Sequence, residues 1–414
     1  MKVKVNVDRL REGMFVSDLD CDWTQTSFLL EGVLIAGEEE LAELQRCCNF
    51  VYVDTERSHD SVIPDLQTLA REPAPASAAV STKQQAEKEA EREEKHFQQA
   101  LQEARPVHGR TKTYIETLLE DVRLGNSLDT NTARELVTEI TESITRSPNA
   151  MVWLSHLKHR DEYTVTHCMN TCILAVTFGR YLGMDKDALE LMGLGALLHD
   201  IGKMCIPLEI LNKPGRLTPE EYEIVKTHAQ KGHELLVSKG GIPQESLDIV
   251  LHHHERISGK GYPHGLMGEQ VNRMTKIVSI VDVYDAITSD RCYHDGIAPY
   301  EALKNMYDWI SEDFEQELVE QFIKCLGIYP IGSMVQLNLG QVGIVVSASE
   351  KSRLRPIVLL VINSKGERYV KPKLINLAHP RWREGKQKLE IRKILQNDEC
   401  DIDLPPIIQD ESLI

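Results

Sequence analysis

Leu198-His199-Asp200-Ile201-Gly202-Lys203 sets an imidazole, a carboxylate and an ammonium close together at the end of an apolar run, a combination suited to metal-assisted phosphoester chemistry. Alone, a neighbouring histidine and aspartate means no more than a solvated helix end. The rest of the chain alters that reading. His167 lies upstream, His228 downstream, and Leu251-His252-His253-His254-Glu255-Arg256 and Asp282 follow. Imidazole and carboxylate suit iron, manganese, nickel or zinc, and such sites take ligands from several inward-facing helices of a bundle. An all-α core is therefore expected around this stretch, with seven candidate ligands converging once the helices pack.

At 414 residues the chain exceeds one ordinary domain, and about two or three are expected. A hydrophobic share of 42% is ample for packed cores. The formal charge of -17 argues against a surface built for nucleic-acid phosphates, so no nucleic-acid polymer is expected as a partner. No run approaches the length needed to span a bilayer, and membrane insertion is not expected. Nine cysteines without zinc-type spacing, among them the neighbours Cys47 and Cys48, fit reduced thiols in a cytoplasm better than a disulfide framework. Their plain reading is that of small buried hydrophobes.

Met1-Lys2-Val3-Lys4-Val5-Asn6-Val7 alternates as a half-buried strand does and lacks the continuous apolar core of a signal peptide. Strand-like runs from Ser27 to Ile35 and Cys48 to Val53 flank a helix over Glu38 to Arg46. This is a small α+β module over residues 1–70. Residues 71–112 read as a linker, rich in proline, alanine and serine to Ser81, and then a charged helix from Thr82 to Arg105. That helix reads as a solvated connector in preference to a dimer coiled coil, and homodimer formation is left open.

Residues 113–326 carry the helical core. One helix should run from Asp161 to Leu182 with His167, Asn170, Leu174 and Phe178 on one face. Thr218-Pro219-Glu220-Glu221 is a capping box that starts a helix carrying His228 inward. Asp282 and Asp285 lie one turn apart in an apolar segment from Arg273 to Ser289. Strand-like runs at Ser333 to Leu339, Gly343 to Ser347, Pro356 to Ile362 and Tyr369-Val370 form a small β domain over 327–378, and 379–414 reads as a frayed polar tail.

Taken together, His199-Asp200-Ile201-Gly202-Lys203 and His253-His254-Glu255-Arg256 followed by Gly259-Lys260-Gly261-Tyr262-Pro263 closely resemble the HD-GYP family of cyclic di-GMP phosphodiesterases. Lys213-Pro214-Gly215, the Thr218 cap, His228 and Asp282-Val283-Tyr284-Asp285-Ala286 with Arg291 extend the match in the family's order and spacing. The first segment is similar to an accessory module found before such domains.

The resemblance implies an HD-type helical bundle in a cytoplasmic enzyme that hydrolyses cyclic di-GMP to linear pGpG, with GMP as a further product left open. Two divalent ions, iron or manganese first and nickel or zinc next, would be held in the family's manner. His167, His199, Asp200 and Asp282 bind one ion, and Asp200, His228, His253 and His254 the other. A hydroxide between cations about 3.5 to 4 Å apart is a nucleophile at neutral pH, and Asp200 would bridge them. The resemblance also assigns Lys203 to the scissile phosphate and Arg291, Tyr262 and Pro263 to the substrate.

Tyr163 stands where some members place a glutamate for a third ion, which implies two ions here, although Glu162 is adjacent. Ser258 and His294 are further departures, and His252 reads as a bystander. Other readings are an HD hydrolase of another nucleotide, a sensor or scaffold whose Gly261-Tyr262-Pro263 loop docks a diguanylate cyclase domain, and an oxygen-reactive di-iron protein. Against the last, Lys203 and Arg291 favour an anionic substrate.

Overall fold

The computed structural model describes residues 2–19, 28, 32–64, 66, 76–157, 163–289, 296–310, 313–348, 353–383, 388–396, 399, 402 and 404–409. Two compact units are present. One comprises Met1–Arg92, Ala348–Pro356 and Asn376–Glu390, and the other Glu93–Ser347, Ile357–Ile375 and Ile391–Ile414.

In the first unit, β1 (Lys2–Asn6), β2 (Phe15–Leu19), β3 (Val33–Leu34) and β4 (Phe50–Asp54) form an antiparallel sheet in the order β1-β4-β2-β3. The alternation read in the sequence sets the register. Val3 faces Val53 and Val5 faces Val51, so the valines share the buried side with Val16, Ile35 and Leu44. Leu44 comes from α1 (Glu38–Cys47), the helix expected there. Of the strand run from Ser27 to Ile35, the described residues form a strand only at Val33–Leu34.

The second unit is mainly helical. Its elements are the part of α2 (Ala76–Leu124) after Arg92, α3 (Thr130–Arg146), α4 (Pro148–Leu154), α5 (Tyr163–Tyr181), α6 (Lys186–Leu198), α7 (Pro219–Lys239), α8 (Gln244–His252), α9 (Arg273–Thr288), α10 (Pro299–Asp308) and α11 (Gln316–Leu326). Every residue from Thr166 to Gly179 of α5 is buried, as is every residue from Thr275 to Asp282 of α9. These two helices are therefore central, and each carries donors into the interior. The Thr218 cap forms as read. Its side chain accepts from the Glu221 amide at 3.3 Å, and the Glu221 carboxylate accepts from the Thr218 amide at 2.7 Å.

Two expectations need correction. The connector is not a solvated helix that stops before Pro106. Helix α2 runs on through that proline, and Phe97, Leu101, Ala104, His108, Thr111 and Ile115 make one buried stripe along it. The stripe follows the 3.6-residue period, but alanine, histidine and threonine dilute it, so the charged flanks dominate the sequence pattern. Packing on that face outweighs the helix hydrogen bond that the proline removes.

Nor is 379–414 simply a frayed tail. Strands β5 (Met334–Leu337), β6 (Val342–Ser347), β7 (Ile357–Ile362), β8 (Arg368–Asn376) and β9 (Ile391–Ile394) form a sheet in the order β8-β7-β6-β5-β9. The tail supplies its last strand, with Val335 opposite Ile394 and Leu337 opposite Ile391. Further on, α12 (Leu404–Gln409) buries Ile408, whose carbonyl accepts from Arg105 at 3.0 Å. Alternate residues of β6 and β7, including Ile344, Val346, Leu359 and Val361, join the core of the helices. Asn149 of α4 also donates to the Ser347 hydroxyl at 2.8 Å. No helix among the described residues is long and apolar enough to cross a membrane.

Candidate metal centre

Each donor of the expected set reaches the interior from a helix or its end. His167 projects from α5. His199 and Asp200 stand where α6 gives way to a tight turn over Ile201–Cys205, and His228 comes from α7. His253 and His254 follow directly on α8, and Asp282 comes from α9. The structure brings these residues into two groups, Asp200 with His228, His253 and His254, and His167 with His199 and Asp282; within each group the donor atoms lie within 4.8 Å of one another. Asp200 also faces the second group. Its Oδ2 is 3.3 Å from His199 Nε2 and 3.6 Å from His167 Nε2, while its Oδ1 is 3.4 Å from His228 Nε2 and 3.9 Å from His253 Nε2.

Backbone carbonyls orient three of the imidazoles. His199 Nδ1 bonds Ala196 O at 2.7 Å, His228 Nδ1 bonds Val225 O at 2.7 Å and His253 Nδ1 bonds Val250 O at 2.9 Å. A carbonyl only accepts, so each Nδ1 carries the proton and each Nε2 is left with a lone pair facing inward. His167 is held differently, by the Asp285 carboxylate 2.7 Å from its Nδ1. Asp285 is itself gripped by Asn170 at 3.1 Å and by the Ser289 hydroxyl at 3.3 Å.

This donor set fits a cation. His228 Nε2 and His253 Nε2 face each other at 3.2 Å, both without a proton in the neutral ring, beside Asp200 Oδ1, which has no hydrogen-bond partner. Three inward lone pairs repel unless they share a positive charge. Burial pushes the pKa values of His228, His253 and His254 down, the last two well below the histidine range, so protons do not readily supply that charge. Burial would raise Asp200 and Asp282 as well. The charge of Lys203 outweighs it for Asp200, and the hydrogen bond and charge of His167 outweigh it for Asp282, leaving both carboxylates well below their usual range. His167 is the exception among the histidines. Burial lowers it, but hydrogen bonds to Asp282 and Asp285 raise it to about 9.

Lys203 borders this cluster, its ammonium 2.5 Å from Asp200 Oδ2 and its side chain 20% exposed. The Tyr262 ring lies 4.7 Å from the His254 ring. Its loop is held by Glu255, a buried carboxylate that accepts from the amides of His264 at 2.7 Å and Leu266 at 2.9 Å. Pro263 is half-buried in the same loop. Tyr163 stacks on His167, with ring centres 5.4 Å apart and planes 8° apart. Arg291, Glu162 and His294 lie outside the described residues. Asp285, Asn170 and Glu255 stand in the motifs and faces read from the sequence, which assigns none of them a task at the site. The one-turn spacing from Asp282 to Asp285 was the available signal for the first.

Gly202 sets how closely the turn approaches α7. A Cβ there would sit 2.0 Å from the His228 carbonyl oxygen and 2.5 Å from the Gly232 amide nitrogen, both backbone atoms that cannot swing aside. Gly202→Ala is expected to push His228 away from Asp200, lowering bound metal and destabilising the fold by about 1–3 kcal/mol through overpacking. Metal analysis and thermal unfolding check this, and unchanged metal content would count against it.

Residues 149–314 match the HD domain family, residues 334–382 a KOW domain associated with HD domain, and residues 2–133 a domain of unknown function. The chain is similar to a cyclic di-GMP phosphodiesterase of Pseudomonas aeruginosa, 35% identical over 392 residues that cover 91% of this chain and 89% of that protein. It is also similar to the cyclic di-GMP phosphodiesterase response regulator RpfG of Xanthomonas campestris pv. campestris, 34% identical over 41% of this chain and 45% of that one. A cyclic di-GMP phosphodiesterase of Thermotoga maritima is 34% identical over 51% of this chain and 57% of its own length.

Proposed function

Because the chain belongs to the HD-GYP family of cyclic di-GMP phosphodiesterases, we propose that it hydrolyses cyclic di-GMP to linear pGpG with two divalent ions held at the His/Asp cluster. The observation that carries this reading is the bare Nε2 pair of His228 and His253 beside the unpartnered Asp200 oxygen, an arrangement that suits a cation. In this reading His167, His199, Asp200 and Asp282 hold one ion, and Asp200, His228, His253 and His254 the other. Such a pair activates water at neutral pH and offsets charge on the phosphoryl oxygens. Asp200 would serve both ions, and Asp285 orients the ring of His167. Lys203, between the buried carboxylate and solvent, meets the scissile phosphate. Arg291 steadies the phosphates, while Tyr262 and Pro263 line the substrate side. The packing of Tyr262 on His254 favours this substrate role over docking of a diguanylate cyclase domain.

The donors accept iron or manganese first, and nickel or zinc by the same ligand chemistry. Two ions rather than three are expected because Tyr163 offers a phenol where a third ion needs a carboxylate, and a neutral phenol with a pKa near 10 is a poor ligand. The test is metal analysis of protein purified from its own host, followed by assay of cyclic di-GMP beside other cyclic and linear nucleotides. Two ions per chain and preferential release of pGpG are expected. Metal-loaded protein that leaves cyclic di-GMP intact would overturn the proposal.

A further inference from the structure

Helix α7 delivers His228 inward and carries an aromatic and a cation on its outer side. Tyr222 is 47% exposed. Lys226, one turn on, holds its ammonium 4.9 Å from the centre of the Tyr222 ring and 5.6 Å from the centre of the Tyr262 ring, so one charge spans both. The Tyr262 ring in turn lies 4.7 Å from that of His254 and 6.4 Å from that of His228. An aromatic surface therefore runs from the metal ligands out to solvent, with an ammonium along it.

Tyr222 also occupies the fourth helical position after the Thr218 cap, where an apolar side chain can staple against the residue before the cap, here Leu217. Stapling accounts for an apolar residue. It does not account for a half-exposed ring joined through a cation to the ring beside the metal ligands. Lys226 pairs with Glu223 at 2.7 Å, but Glu223 is 69% exposed, and a surface pair of this kind holds the ammonium only weakly.

We propose that Tyr222 and Lys226 form the recognition platform for one guanine of the substrate, a reading that rests on the proposed cyclic di-GMP activity. The purine stacks on the Tyr222 ring, and the Lys226 ammonium donates to guanine N7 and O6, of which O6 distinguishes guanine from adenine, whose six-position carries a donor amine. These residues act on base recognition and take no part in the bond-breaking step.

The experiment compares Tyr222→Leu, which keeps an apolar residue at the stapling position but removes the π-face, and Lys226→Gln with the parent chain, all metal-loaded. Calorimetry measures the affinity of each for GMP and for ribose 5-phosphate, which lacks the base, and kinetics give KM and kcat for cyclic di-GMP. For Tyr222→Leu the platform predicts GMP affinity weakened roughly ten- to a hundredfold, the size of one base–aromatic stack. Ribose 5-phosphate binding should be retained, and the loss on cyclic di-GMP should fall on KM rather than kcat. Lys226→Gln should narrow the preference for GMP over AMP. Equal losses on GMP and ribose 5-phosphate, unchanged GMP affinity, or a parent that binds both ligands equally would overturn the platform. A parent that prefers GMP yet fails to cleave cyclic di-GMP would instead sink the proposed activity and leave the base site standing.

Discussion

Asp200→Ala is expected to reduce cyclic di-GMP turnover to background and to deplete metal from both halves of the cluster. The reason is geometric. Each oxygen of this one carboxylate faces a different set of imidazoles, with Oδ2 toward His199 and His167 and Oδ1 toward His228 and His253. Asp282 is the other carboxylate in the cluster, and it sits mainly against His167, at 3.0 Å, reaching His254 only at 3.9 Å. It cannot replace a group placed between the sets. Asp200 is also 1% exposed, with its pKa held well below the usual carboxylate range, so its loss removes a buried negative charge that would offset bound cations. The measurement is metal content and turnover of purified variant, with circular dichroism to show that the helices persist. Retention of both ions with normal activity would refute the bridging assignment. His199→Ala should be milder, because it strips one ring from one side and leaves Asp200 in place.

Lys203→Ala should keep both ions and lose about 10²- to 10³-fold in rate, the usual consequence of deleting one preorganised electrostatic stabiliser. The short contact between its ammonium and Asp200 Oδ2 makes this a demanding test, because the same contact would suit a counter-ion whose only task is to neutralise a buried carboxylate. The two roles separate cleanly. A substrate-facing ammonium gives a rate loss at constant metal content, whereas a structural counter-ion gives a parallel fall in metal and rate. Lys203→Met, which retains the apolar stem, should reproduce the alanine result if charge rather than packing is the cause.

Much of the site was legible because its information is local. A helix end that presents a histidine and an aspartate together, a pair of histidines at the end of another helix, and the reciprocal cap from Thr218 to Glu221 each depend on a few consecutive residues. Donor chemistry follows from residue type alone. The alternation of Val3 and Val5 likewise sets the face they bury, because strand side chains change sides with every residue.

Other features depended on partners distant in the chain. Phe97, Leu101 and Ala104 look too sparse to specify a buried helix, and they are buried because that stripe joins the hydrophobic core of the second unit. Strand β9 is only four residues long and lacks alternation, with its two isoleucines at the ends, and it is a strand because β5 offers it an unpaired edge. The binding of Asp285 to His167 crosses 118 positions of sequence, and no local rule could have selected that carboxylate over Asp282 as the one that orients the ring. By itself, then, the sequence determined which side chains could donate to a metal and on which helices they stand. Tertiary packing decided which nitrogen of each ring faces inward, which carboxylate lies between the two sets and how Glu255 holds the Tyr262 loop, because these depend on distances of a few ångströms between elements that only the folded core brings together.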